Sequence, residues 1–356
     1  MRGSKLMGNN SHQAIHAIMS GQRRGIGATL ARGAARAAEL PYAAAMTIRN
    51  YFYDHGILRA LRLARPVISV GNITTGGTGK TPVVQWLAEN LQEMQPAVLM
   101  RGYKSVDQIS DEQYLLREQL PGITVIANPN RIRGAAAALA QKADTGLFIL
   151  DDGMQHRKVA RDFELVLIDA TNPFGFAHVL PRGLLREPFG GLARANAFLI
   201  TRSDLAGPGE LDVIRSELNR HNPKAPIFCA NHYISGFRCG EESAMPAALT
   251  GKRAFLFCGV GNPESVKSQL VLLGLNIIGS RFFPDHYNYR VADLEELAHE
   301  KADTLITTEK DWIKISQLSH AILQKIYRTE LSLSFSDSDE QKLESLVRLS
   351  IARPAR

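Results

Sequence analysis

Lys80 and Thr81 close the run Thr74-Thr75-Gly76-Gly77-Thr78-Gly79-Lys80-Thr81, whose residue types suit the cradling of a nucleotide's phosphates. Gly76 and Gly77 free the backbone to curl, and Gly79 permits close approach. Lys80 carries a cation to the terminal phosphates, and the Thr81 hydroxyl suits Mg²⁺. The general pattern is G-x-x-x-x-G-K-[ST] between a strand and a helix, and here Thr74 stands at the first glycine position. An apolar segment ending at Val70 precedes the run. Pro82 follows it in what reads as the first turn of a helix, whose N-terminal amides add to the anion site. A purely structural glycine turn is the competing reading, but such a turn has no need of Gly-Lys-Thr between strand and helix.

A phosphate loop of this kind works with a carboxylate at the end of a neighbouring strand, where it meets the metal. Gly146-Leu-Phe-Ile-Leu-Asp-Asp-Gly153 offers Asp151 and Asp152 just beyond an apolar run. Gly153 is expected to let the backbone turn there, although Asp-Gly is also ordinary turn chemistry. Two classes share these parts. One is a membrane-associated nucleotide switch, a binding module, for which Thr201-Arg-Ser-Asp204 is a near match to a guanine-reading motif with Arg202 in place of lysine. The other is a small-molecule kinase, which needs an acceptor site and a base.

The elements that must hold these residues are legible from residue 66 onward. Apolar runs at 66–71, 96–101, 123–127, 146–151, 163–169, 197–201, 225–230, 253–258 and 303–307 alternate with helix-like stretches such as Val83–Met94, Ile132–Lys142 and Pro263–Leu273. Phe163-Glu-Leu-Val-Leu-Ile-Asp169 is near-continuously apolar, the mark of a strand covered on both faces. The fold class is therefore α/β, a phosphate-loop core on a mostly parallel sheet. Gly207-Pro-Gly209 and His221-Asn-Pro223 punctuate the chain near 205–225, where a boundary is expected.

The 356 residues carry a net charge of +7, which favours an acidic partner: nucleic acid, an anionic membrane surface or a phosphorylated substrate. Cys229, Cys239 and Cys258 show no CxxC spacing, so they read as ordinary thiols of a reducing compartment, with no zinc site. No uncharged apolar stretch is long enough to span a bilayer. Residues 25–57 are rich in Ala, with Arg32, Arg36, Arg49 and, beyond, Arg59 and Arg62 among Ile26, Leu30, Leu40 and Ile48. Two readings stand for this segment: a basic amphipathic helix lying on an anionic bilayer, or a surface helix packed on the core. Residues 1–20 read as a polar leader, and Met1-Arg-Gly-Ser4 is left out of fold reasoning.

Val70-Gly-Asn-Ile-Thr-Thr-Gly-Gly-Thr-Gly-Lys-Thr-Pro82 and Asp151-Asp-Gly-Met-Gln-His156 together resemble the tetraacyldisaccharide 4′-kinases of lipid A biosynthesis. Further matches are Arg49-Asn-Tyr-Phe-Tyr-Asp-His-Gly-Ile57, Leu180-Pro-Arg-Gly-Leu-Leu-Arg-Glu-Pro188, Cys258-Gly-Val-Gly-Asn-Pro263, Phe283-Pro-Asp-His286 and Thr307-Thr-Glu-Lys-Asp311. The resemblance covers about residues 45–315. It implies ATP and Mg²⁺ as cofactors and the 4′-hydroxyl of a tetraacylated glucosamine disaccharide 1-phosphate as acceptor. It also implies a place at the cytoplasmic face of the bacterial inner membrane, on its anionic surface, with neither a nucleic acid nor an obligate protein partner.

By the same resemblance Lys80 meets the β- and γ-phosphates and Thr81, Asp151 and Asp152 lie on the metal side. Gln155 and His156 complete the nucleotide site with Thr74, Thr75, Gly76, Gly77, Thr78 and Gly79. Asp111 takes the position of the catalytic base, with His286 as its partner. The family's Gly and Pro around that base are Ser110 and Gln113 here, the loop from Arg101-Gly-Tyr103 to Asp111 is shorter, and Arg182 replaces a small residue. Expected parts are a leader and membrane-associated helix over 1–59, a kinase core over 60–220, a smaller α/β lobe over 221–335 and a tail over 336–356. Asp111 then falls on the core and His286 on the lobe, which would call for closure across a cleft.

Overall fold

The computed structural model describes residues 15–102, 111–284 and 287–352, without the side chains of Asp111 and Glu112. The chain divides into two compact units. One comprises Met1–Tyr103, Leu120–Asn231 and Ser334–Arg356, and the other Lys104–Gln119 and His232–Leu333.

In the first unit the strands β1 (Val67–Asn72), β2 (Pro96–Met100), β3 (Thr124–Ala127), β4 (Leu147–Asp151), β5 (Phe163–Asp169), β6 (Ala197–Thr201) and the start of β7 (Ile227–Cys239) form a parallel sheet. Its order is β7-β6-β5-β1-β4-β2-β3. Every residue of β1, β4, β5 and β6 is buried. That explains their unbroken apolar sequences, since helices cover both faces of such a sheet. β1 is central, with Val70 in register with Asp151 on one side and with Leu165 on the other. The loop leaving β1 therefore emerges beside Asp151 at the carboxyl edge of the sheet, where ligands of open α/β folds bind.

Helix α1 (Ile26–Asp54) lies against this unit, and α2 (Lys80–Asn90) follows the phosphate loop, burying Val83, Val84, Trp86, Leu87 and Ala88. Among the described residues no helix is long and apolar enough to cross a membrane. The inner face of α1 is tied down: Tyr42 donates to the Arg186 carbonyl at 2.8 Å, Asn50 to Glu187 at 2.7 Å, and Glu39 accepts from the Val179 amide at 3.0 Å. Its outer face exposes Ile26, Leu30, Leu40, Ile48 and Tyr51. At about 100° per residue these five fall within about 40° of one line along the helix. Arg32, Arg36 and Arg49 do not share one face of this helix. Arg49 lies about 100° or more from the other two and turns inward to donate to the Gln155 carbonyl at 2.6 Å.

The expected tail is α9 (Asp339–Ala352), a helix with Leu343, Val347 and Ile351 buried in the first unit. Trp86 Nε1 donates to Glu340 at 2.8 Å, and Arg348 caps the end of α2 through the Asn90 carbonyl at 2.6 Å. The sequence hides this packing because its partners lie some 250 positions upstream.

The second unit carries β9 (Arg253–Cys258), β10 (Asn276–Phe282), β11 (Thr304–Thr307) and β12 (Ile326–Phe335), adjacent in the order β10-β9-β11-β12 and parallel. β8 (Glu242–Ala244) forms a hairpin with the end of β7. Around them lie α3 (Asp111–Gln119), α6 (Pro263–Leu272), α7 (Val291–Ala298) and α8 (Glu309–Ile315), while α4 (Arg131–Gln141) and α5 (Glu210–His221) belong to the first unit. Phe257, Leu294, Leu297, Ile315 and Ile326 centre one core cluster. This division differs from the expected 60–220 and 221–335. Residues 104–119 fall with the second unit because α3 packs on α8, and its Leu115 and Leu116 are buried. The helix opening at Asp111 and the segment containing His286 thus fall in one unit.

Leu343 is fully buried, so Leu343→Ala is expected to cost about 2–5 kcal/mol of stability, read by chemical denaturation. A loss below about 0.5 kcal/mol, the range of ordinary surface changes, would mean that α9 is an appendage.

Candidate active site

The turn from β1 to α2 needs two left-handed residues, and glycine supplies both: Gly76 has φ 117° and Gly79, the residue capping α2, has φ 77°. The loop is braced on its outer side. Thr75 donates its amide to the Leu184 carbonyl at 2.7 Å, and the Arg186 amide donates to the Ile73 carbonyl at 2.7 Å. From the end of β6, Thr201 donates to the Thr78 carbonyl at 3.0 Å and Arg202 to the Gly77 carbonyl at 3.1 Å. In a trans peptide the next N–H points opposite to the carbonyl, so the amides of Thr78 and Gly79 turn away from these braces. A Cβ at Gly76 or Gly77 would meet nothing within 4 Å. The result is an open cradle of backbone donors at a helix N-terminus, the arrangement that holds phosphate.

Thr201-Arg-Ser-Asp204 therefore reads differently from the guanine motif it approximates. Arg202, itself left-handed at φ 55°, is held between the Asp169 carboxylate and the Gly77 carbonyl. Its guanidinium supports the phosphate loop.

Charge converges at the mouth of the cradle. Lys80 Nζ lies 3.0 Å from Asn72 Oδ1 and 3.4 Å from Asp152 Oδ1. Arg186 Nη1 meets both Asp152 oxygens at 2.8 and 2.9 Å. Burial works to raise the Asp152 carboxyl, but the charges of Lys80 and Arg186 outweigh it and hold the group below its usual range. Asp152 also makes the turn: its own φ is 55°, whereas Gly153 is needed for space, since a Cβ there would lie 2.2 Å from Ser69 Oγ. That corrects the expectation that Gly153 lets the backbone turn; Asp tolerates the left-handed region better than most residues.

Behind this centre stands a polar scaffold. Gln155 donates to the Asn72 carbonyl at 3.1 Å and to Glu187 at 3.0 Å, and it accepts from Arg186 at 3.3 Å. Glu187 is buried and receives Arg194 at 2.8 Å on both oxygens. Asn72, Arg186, Glu187 and Arg194 are residues of this site that the sequence left without roles. Asn72, Arg186 and Glu187 sit inside motifs already quoted, and that was the available signal.

Of the expected site residues, the structure gathers Thr74, Thr75, Gly76, Gly77, Thr78, Gly79, Lys80, Thr81, Asp151, Asp152, Gln155 and His156 around the carboxyl ends of β1 and β4. Asp151 is buried, and its carbonyl accepts from Arg131 at 3.1 Å. His286 lies outside the described residues, and of Asp111 only the backbone, opening α3, is described. Arg182, expected to add charge near the acceptor, donates to the Met19 carbonyl at 2.8 Å. Among the described residues no three His, Cys, Asp or Glu side chains gather to hold a metal by themselves. Thr81, Asp151 and Asp152 are a small oxygen set, the kind that Mg²⁺ supplements with phosphate oxygens and water. Cys229, Cys239 and Cys258 are unpaired thiols.

Comparison with known proteins shows what the chain is similar to. The family model described as tetraacyldisaccharide-1-P 4′-kinase matches residues 34–351. A tetraacyldisaccharide 4′-kinase of Desulfotalea psychrophila is 36% identical over 328 residues, 85% of this chain and 93% of that one. One from Anaeromyxobacter dehalogenans is 33% identical over 326 residues, 85% and 86% of the two chains. The solved structure of "apo" form LpxK from Aquifex aeolicus in complex with ATP superposes with a TM-score of 0.73 at 27% identity, covering 90% of this chain and 99% of that one.

His156 follows Gln155 in this scaffold, and its Nε2 is buried without a hydrogen-bond partner. Burial first, then the charges of Arg131, Arg161, Lys158 and Arg49, push its pKa down to about 4. The ring is thus expected to stay neutral between pH 8 and 5, while an unfolded histidine protonates near 6.5. The folded state then binds fewer protons below that value, so this residue's contribution to stability is lost as pH falls from 6.5 towards 4. Imidazole NMR shifts assigned by a His156→Gln variant would check it, and a midpoint near 6.5 would contradict the burial argument.

Proposed function

The chain belongs to the tetraacyldisaccharide-1-P 4′-kinase family, and from that premise we propose how its residues share the work. It is an ATP-dependent kinase of lipid A biosynthesis, acting on the 4′-hydroxyl of a tetraacylated glucosamine disaccharide 1-phosphate. The nucleotide-switch alternative is not favoured. The observation that carries the assignment of roles is the meeting of Lys80 and Arg186 on Asp152 at the mouth of the phosphate loop.

In this reading the loop amides and Lys80 hold the β- and γ-phosphates of ATP. Lys80 and Arg186 supply positive charge where the transferred group is most negative, which is how a preorganised site lowers the barrier to phosphoryl transfer. Thr81, Asp151 and Asp152 would hold Mg²⁺, which when bound neutralises phosphate charge. The 4′-oxygen forms a bond to the γ-phosphorus as the bond from that phosphorus to the β–γ bridging oxygen breaks. ADP leaves, and the hydroxyl proton passes to Asp111, supported by His286.

The lipid substrate calls for work at a membrane. The exposed apolar line on α1, in a chain of charge +7, supports docking of this helix in the plane of an anionic bilayer such as the cytoplasmic face of the inner membrane.

Incubation with ATP, Mg²⁺ and the disaccharide 1-phosphate is expected to add one phosphate to the lipid by mass. Lys80→Ala, with folding verified by circular dichroism, should lose about 10²-fold or more in kcat. Unimpaired turnover by that variant would remove the phosphate-loop assignment. Leu30→Glu with Leu40→Glu should abolish sedimentation with phosphatidylglycerol vesicles. If the double variant binds vesicles like the parent, α1 is not the docking face.

A further inference from the structure

Thr201-Arg-Ser-Asp204 begins where β5 and β6 leave the sheet side by side, with Asp169 in register with Thr201. Its first two residues turn to the phosphate loop. Thr201 is fully buried, and its hydroxyl donates to the Thr78 carbonyl at 3.0 Å. Arg202 stands at φ 55° and ψ 37°, the left-handed conformation that a residue with a Cβ adopts only at a cost. One terminal nitrogen of its guanidinium pairs with the Asp169 carboxylate, and the other donates to the Gly77 carbonyl at 3.1 Å.

The surroundings hold this strained turn. Asn231 Oδ1 accepts from the Ser203 hydroxyl at 2.7 Å and from the Asp204 amide at 3.0 Å. The second Asp169 oxygen accepts from the Thr171 amide at 3.0 Å and from its hydroxyl at 2.7 Å, so the carboxylate is fixed independently of Arg202. Strain of this kind persists only where neighbours over-determine it, and such places cluster at functional sites. The lysine of a guanine-reading motif would bring a single ammonium here. The planar fork of arginine spans two acceptors at once, which lets one side chain bridge the end of β5 to the loop.

The Gly77 and Thr78 carbonyls belong to the peptides whose N–H groups are those of Thr78 and Gly79. A donor on a carbonyl polarises its peptide and strengthens the N–H on the opposite side, by about 10–30% per bond. We propose that Arg202 and Thr201 are positioning residues for ATP. Arg202, steadied by Asp169, orients and polarises the Gly77–Thr78 peptide, and Thr201 does the same for the Thr78–Gly79 peptide. Both amides are thereby fixed as donors to the terminal phosphates, with the two side chains acting through the backbone from its outer side. This rests on the reading of the loop as the phosphate site of ATP.

The test is a set of full-length variants assayed for lipid phosphorylation across ATP and lipid concentrations. Arg202→Gly removes the guanidinium and takes φ 55° without strain, so the turn is kept. Its kcat/KM for ATP should fall about 10-fold or more, the worth of a hydrogen bond to a charged group. KM for the lipid should stay within about twofold. A matching defect in the lipid KM would show a merely structural role and overturn the proposal, as would a normal kcat/KM for ATP. The deciding comparison is Asp169→Asn placed on the parent and on Arg202→Gly. If Asp169 acts through Arg202, the change costs about threefold or more in kcat/KM for ATP in the parent and less than about 1.5-fold in the variant. Equal losses in both backgrounds would overturn it. Should Arg202→Gly fail to fold, Thr201→Val must still lower kcat/KM for ATP about threefold without raising the lipid KM; an unchanged value there overturns the proposal. Lys80→Ala separates the two levels. A loss there with none in Arg202→Gly sinks only this proposal, whereas no loss in either sinks the phosphate-loop reading itself.

Discussion

Two cations on one half-enclosed carboxylate set the terms for the rest of the first unit. Lys80 and Arg186 meet at Asp152, and each would be costly to enclose alone. Asp152 offsets that cost and keeps both cations within reach of the same point. The carboxylate must then be held against the pull of burial, so Asn72, Gln155 and Glu187 satisfy the remaining donors and acceptors around it. Glu187 in turn recruits Arg194 and Asn50, which carries the network to α1. In the proposed function a bound phosphate would take the place of Asp152 as the partner of Lys80.

The same network explains why α1 has two unlike faces. Tyr42, Arg49 and Asn50 end on backbone or side-chain acceptors next to the phosphate loop. The opposite side exposes the apolar line of Ile26, Leu30, Leu40, Ile48 and Tyr51. A helix so tightly fastened to the catalytic scaffold brings that scaffold to whatever its outer face binds. Of the two sequence readings of this segment, the core-packed helix describes its inner side, and the membrane-surface helix belongs to the proposed function.

In the second unit the buried Asp311 side chain of α8 ties the Gly259 amide to the Tyr289 hydroxyl. Here the central group is an acceptor of neutral donors. Burial raises the Asp311 carboxyl, and the bonds from Thr308, Gly259 and Tyr289 work against that rise. The difference lies in the partners: Asp152 sits among the cations Lys80 and Arg186, whereas Asp311 is held by neutral N–H and O–H donors.

Much of this was legible in the residues themselves. Buried parallel strands announce themselves because both faces are covered and no alternation survives, so β1, β4, β5 and β6 could be read within a residue or so. The phosphate loop was legible because left-handed turns need glycine, and Gly76 and Gly79 are where the chain takes that conformation. The half-exposed β10 escaped because its residues mix polar and apolar without a clean period, whereas β12 was missed although Glu330-Leu331-Ser332-Leu333-Ser334-Phe335 alternates strictly. Arg186, Arg202 and Glu309 look like surface charges in the sequence, and only folding brings each against its partner. The membership of α3 in the second unit was hidden for the same reason: Gln119 and Glu309 are 190 positions apart. Local sequence determines which backbone conformations and burial patterns are affordable. Which charged side chains meet depends on contacts between distant segments, and that only the tertiary structure decides.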